Sequence, residues 1–179
     1  VDTDVNEMDG ELIELDANAF VGPLISKEAV ESLGFPNKEL FIYGDDTEYT
    51  YRITRRFRSL LVTSAVIDHE DVPAPSSTGA PYHWWKDYYS LRNRLLLIRE
   101  FERGLSKFSG FSLIFLRVLK GSVAALVKKR YKSLRSIRLR IVLKGFVDGV
   151  SGKTGKRIDP TFINEEIKMK MDRSVKECS

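Results

Sequence analysis

An α/β fold over the first part of the chain, followed by a basic helical part, is what the sequence predicts, on three observations. The short apolar runs "LIELDANAF", "ELFIYG" and "LLVTSAVID" carry the aromatic and β-branched bias of strands and alternate with helical patterns. Charge is divided, since residues 1–51 hold 13 acidic and 2 basic side chains while residues 52–179 hold 12 acidic and 27 basic, so the net +4 conceals −11 and +15. The loop "VPAPSSTGAP", with three prolines, a glycine and two serines, separates the two parts and sets regions at 1–82 and 83–179.

Each element follows from local chemistry. "LIELDANAF" is a strand that leads into the turn signal Gly22-Pro23. Ser26 is positioned to cap a short helix, "KEAVESL", and Gly34 to end it. "ELFIYG" reads as a short buried strand, which places Asp45 and Asp46 at its exit. Tyr49, Ile53 and Phe57 then recur at i, i+4 and i+8 and mark one face of a helix that Asp45 or Asp46 caps. Glu48 has a structural reason to stand in its first turn, four residues before Arg52. "LLVTSAVIDHE" is a further strand with His69 at its end, and "YHWWKDYYSLRNRLLLIREFERG" returns to helical order with Gly104 as its stop.

From Arg103 through Val147 there is no acidic residue, while 12 are Lys or Arg. Such a bias suits a polyanionic surface, and its alternative is a solvated basic face. Within it, "FSLIFLRVLKGSVAALV" (111–127) has 12 apolar residues but also Arg117 and Lys120, too short and too charged to span a bilayer. An amphipathic helix lying in the interface fits, with Arg117, Lys120, Lys128, Lys129 and Arg130 meeting anionic lipid and Trp84 and Trp85 as interfacial anchors. A buried helix followed by a soluble basic one is the alternative. No recognised nucleic-acid motif accompanies the cations, so nucleic acid is not an expected partner.

At 179 residues and 42% hydrophobic content, the chain is long enough to bury a core. The single cysteine, Cys178, allows no intramolecular disulfide and favours a reducing compartment, the cytoplasm. The chain opens at Val1 without a signal segment, as a fragment of a larger protein does.

The acid pair and the histidine carry the chemistry. Two adjacent aspartates at a helix start can simply cap it, yet the dipole and free amides there also favour negative charge, and Asp46 can act as a base toward a substrate hydroxyl. His69 follows Asp46 by 23 residues, and strands running side by side bring both to one cleft, a pairing that suits a divalent metal although two groups make an incomplete site. His83 is a second metal candidate. Trp84, Trp85, Tyr88 and Tyr89 can stack on sugar faces, although aromatic residues on a helix are more often packing.

"FVGPLISKEAVESLGFPNKELFIYGDDTEYTYRI" resembles the carboxyl-terminal half of glycosyltransferase family 2 catalytic domains. The pattern is Gly22, a helix ending in Leu33 to Pro36, the aromatic Phe41 to Tyr43, the pair Asp45-Asp46 and then Arg52. "DYYSLRNR" (Asp87 to Arg94) and "VDGVSGKTGKR" resemble segments of the galactofuranosyl- and rhamnosyltransferase-like branch. The similarity covers roughly residues 15–160. It implies a partial GT-A, Rossmann-like fold and an inverting transfer from a UDP- or dTDP-linked sugar to a lipid-linked or polysaccharide acceptor.

By that motif Asp46 is the base, Asp45 its neighbour, and His69 a ligand of the Mn²⁺ or Mg²⁺ that holds the diphosphate. Gly22 and Arg92 join Trp84, Trp85 and Tyr88 as substrate-binding positions. The family's metal motif, "NxD" or "DxD", has a counterpart in "DTD", Asp2 to Asp4, which is otherwise a solvated acidic turn. The first βαβ units that hold the nucleotide have no room here, so the implied protein is the acceptor-side part of a larger enzyme, peripheral at the inner face of the plasma membrane.

Overall fold

A computed structural model describes residues 12–68, 81–129 and 132–176. Among these residues there are six α-helices and one two-stranded sheet, which replaces the expected α/β fold with a mainly helical one. The described residues fall into two compact units: 12–37 with 45–68, and 38–44 with the residues from 81 onward. A single cut after residue 82 misses this division because residues 38–44 pack with the helical part.

In the first unit, β1 (Leu12–Glu14) pairs antiparallel with β2 (Leu60–Val62) in the register Leu12 to Val62, Ile13 to Leu61 and Glu14 to Leu60. The run "LLVTSAVID" thus pairs with β1, not with "ELFIYG", and only three of its residues are extended in a ladder. Helix α1 (Lys27–Leu33) starts where Ser26 Oγ accepts from the Ala29 amide at 3.2 Å and ends at Gly34, whose φ of +73° is a conformation that glycine adopts without strain. Helix α2 (Asp45–Thr54) is tied to the end of α1: Tyr49 donates its hydroxyl to Gly34 O at 2.8 Å, and Arg52 donates to the carbonyls of Leu33 and Phe35. Arg52 also holds buried Glu48 at 2.8 Å, the i,i+4 pair that the spacing predicts.

The second unit is built on α3 (Trp84–Phe101), α4 (Gly104–Val127), α5 (Arg135–Val150) and α6 (Pro160–Lys176). Gly104, with φ of +51°, opens α4 and does not stop α3, which ends at an extended Glu102. Gly145 and Gly149, one turn apart on α5, let α3 come close: a Cβ at Gly149 would lie 2.7 Å from Leu95 Cδ1 and 3.0 Å from Arg92 O. Trp84, Tyr88, Tyr89, Ile137, Ile141, Ile163 and Ile167 form one core cluster, and Leu95, Ile114, Val118 and Val142 form a second under α4.

The expected strand "ELFIYG" is instead a 3-10 turn (Lys38–Leu40) followed by bends, with Phe41 and Tyr43 at φ of 67° and 66°. Its apolar residues serve a turn wrapped on helices, because a short apolar run has no periodicity that separates the two outcomes. The helix expected within 111–127 is longer, 24 residues or about 36 Å, and by length and composition it can cross a membrane.

Candidate functional site

The polar centre of the second unit is a clamp made by consecutive residues of α3. Asn93 Nδ2 lies 2.8, 2.8 and 2.7 Å from the carbonyl oxygens of Leu40, Ile42 and Tyr43, three acceptors for two protons. Arg92 donates to Leu40 O at 2.9 Å, to Glu39 O at 3.4 Å and to Gly155 O, while its Nε donates to Asn93 Oδ1 at 2.8 Å. The guanidinium carbon stands 4.9 Å from the Tyr89 ring centre, so a fully buried cation is surrounded by carbonyl dipoles and an aromatic face. Gly155 N returns a hydrogen bond to Glu39 O at 2.6 Å, which ties the glycine-rich loop to the same turn.

The clamp explains the unusual backbone. Left-handed geometry costs a residue with a Cβ roughly 1–2 kcal/mol, and Phe41 and Tyr43 both adopt it. The carbonyls so turned are those that Arg92 and Asn93 hold. Both aromatic side chains are partly exposed, and the Phe41 ring centre lies 4.8 Å from that of Tyr89. The clamped segment ends at Gly44, the residue before Asp45.

Beside the clamp, Asp148 is 2% exposed and accepts from Tyr88 Oη at 2.6 Å and Lys144 Nζ at 2.7 Å, with Lys153 at 3.6 Å and Arg157 at 3.9 Å. Burial alone would raise its pKa, but the hydrogen bonds from Lys144 and Tyr88 outweigh it and hold the carboxyl below the ordinary range. The Tyr88 phenol is pushed the other way, first by burial and then by its bond to Asp148, so it stays a donor.

Asp45 and Asp46 are the first two residues of α2 and lie inside its first turn, not at the cap. Asp46 Oδ1 accepts from the Thr47 amide at 2.7 Å and lies 3.3 Å from Thr47 Oγ1. The residue is half-buried. No protein-family model matches the chain, and neither does any curated protein or solved structure.

The remaining expected site residues scatter. Trp84, at 1% exposure, and fully buried Tyr88 have their ring faces covered by the core, and Arg92 is committed to backbone carbonyls. Trp85 is half-buried, its ring edge-on to Tyr89 at 6.3 Å. Gly22, at φ of +73°, lines a cleft of about 570 Å³ in the first unit, where a Cβ would lie 1.9 Å from Ile67 Cδ1. Arg117, Lys120, Lys128 and Lys129 are exposed. Asp2, Asp4, His69 and Arg130 lie outside the described residues.

Among the described residues no three His, Cys, Asp or Glu side chains converge as a metal would need. Two groups escaped sequence reasoning, Asn93 and the Asp148 cluster. The signal for Asn93 was present in "DYYSLRNR", since asparagine is a weak helix former and its place in mid-helix gains a reason from side-chain acceptors that hold it. For Asp148 the signal is an acid that ends the longest acid-free run.

Proposed function

We propose that these residues are the acceptor-side part of an inverting glycosyltransferase, which moves a sugar from a UDP- or dTDP-linked donor to a lipid-linked or polysaccharide acceptor. One observation supports the reading above all: the two stretches that carry the resemblance are bound to each other. The Arg92-Asn93 pair of "DYYSLRNR" holds the backbone of "ELFIYG", which runs directly into the acid pair.

In this reading Asp46 accepts the proton of the acceptor hydroxyl as that oxygen attacks the anomeric carbon. The bond from that carbon to the nucleoside diphosphate breaks, its electron pair leaves with the diphosphate, and the configuration inverts. Among the described residues the two strands are three residues each and offer no platform for a nucleotide, and this reading places the donor-binding elements outside these 179 residues. Any divalent ion falls to Asp2, Asp4 and His69.

Transfer by a protein that joins these residues to a donor-binding half tests the reading. A positioned base contributes about 10²–10⁴-fold, so Asp46→Asn lowers kcat by that range while donor affinity, measured calorimetrically, is unchanged. Turnover within a few fold of the parent excludes Asp46 as the base. Micromolar binding of a UDP- or dTDP-sugar by the 179 residues alone rejects the division of labour.

A further inference from the structure

The geometry of α4 points to a docking surface, and we propose that this helix lies in the plane of an anionic phospholipid bilayer surface with one apolar stripe immersed. The inference stands on α4 alone and does not depend on the transferase reading. Leu105, Leu116, Leu119, Val123 and Leu126 are each at least half exposed, from 50% to 82%. At 3.6 residues per turn they fall within an arc of about 80°. Ile114, Val118 and Ala125, the buried residues of α4, lie on roughly the opposite side, and the first two pack with Leu95 of α3 and Val142 of α5. The helix is therefore anchored to the fold along one side and bare along the other.

Charge decides what covers the bare side. Lys120 stands about 40° beyond one edge of the stripe and Arg117 roughly 60° further round on the same side, Lys128 and Lys129 follow its end, and no acidic residue occurs between Arg103 and Val147. Lipid phosphates supply the missing anions, and an apolar stripe bordered by cations is the pattern of a helix at the headgroup boundary. A second copy of the chain meets this face badly, since pairing two stripes brings like charges together with no acid on either α4 to offset them. Spanning is opposed twice. Arg117 falls in the middle third of the helix and Lys120 one residue beyond it, where hydrocarbon disfavours charge, and the packed side would draw Arg138, Arg140 and Lys144 of α5 in with it.

An environment-sensitive fluorophore on a single cysteine, in a Cys178→Ser background, reads the immersion directly. Labels at Leu116→Cys and Val123→Cys shift to the blue with vesicles of phosphatidylcholine plus phosphatidylglycerol, and a label at exposed Thr161→Cys on α6 does not. Arg117→Gln with Lys120→Gln weakens partitioning about 30-fold, the equivalent of ~1 kcal/mol per cation. Leu116→Asp with Leu119→Asp abolishes the vesicle shift at Val123→Cys without loss of helical circular dichroism. Three results overturn the proposal: no blue shift at either stripe position, resistance to alkaline carbonate extraction as a spanning helix shows, or a dimer without vesicles that Leu116→Asp/Leu119→Asp dissolves.

Discussion

Arg92 shows how much one side chain can hold when its geometry matches its acceptors. The planar fork reaches Glu39, Leu40 and Gly155 at once, and lysine, a single point charge on a flexible stem, cannot do so. Arg92→Lys leaves buried carbonyls without donors, at about 1–3 kcal/mol each, so urea unfolding is expected to show a loss of at least ~3 kcal/mol. Loss under ~1 kcal/mol means that the fork is not what holds the turn. Asp148 gives a pH signature. Its folded pKa lies below the ordinary carboxylate value of about 4, so the unfolded chain binds more protons in that range. The stability it contributes is present above about pH 4 and is lost as pH falls through the folded pKa. Asp148→Asn removes that share of the acid-side decline and costs about 1.5–3 kcal/mol at neutral pH, and an unchanged acid limb in the variant contradicts the assignment.

The elements differ in how far local sequence determines them. Helix α1 is legible residue by residue, because Ser26 and Gly34 satisfy its end groups with their own chemistry. The i,i+4 pair of Glu48 with Arg52 is legible for the same reason. "ELFIYG" is not, since its fate depends on Asn93, some fifty residues later, which takes its carbonyls out of any ladder. The acid pair was placed correctly at the start of α2, but the sheet expected to lead into it does not exist, and this reverses the fold class. Periodicity also gave no hint that α5 needs bare backbone where α3 crosses it. Gly149→Ala tests that contact: the new Cβ would sit 2.8 Å from Leu95 Cβ and 3.0 Å from Arg92 O, neither of which is a flexible tip. The gain of roughly 1 kcal/mol in helix propensity is expected to be outweighed by overpacking of about 1–3 kcal/mol, so thermal unfolding shifts downward. A raised Tm means that α3 and α5 separate without cost.

Across the whole molecule, charge is the property the sequence displays most openly, and its consequence depends on salt. Arg117, Lys120, Lys128 and Lys129 each contribute about 1 kcal/mol near an anionic membrane, together ~4 kcal/mol or nearly a thousandfold in partitioning at low ionic strength. Screening lengths fall from about 10 Å at 0.1 M salt to about 3 Å at 1 M, so most of that attraction disappears over the interval. The apolar stripe on α4 is not screened, because burial of hydrocarbon surface does not depend on counterions. Partitioning onto phosphatidylglycerol vesicles is therefore expected to fall by nearly three orders of magnitude from low salt to 1 M NaCl and to level off at the value for neutral vesicles. A purely electrostatic ligand such as nucleic acid gives a different curve, in which log affinity declines linearly with log salt and never levels. Flotation across that salt series separates the two: a plateau requires the stripe to be immersed, and a straight line to baseline means that the cations act alone.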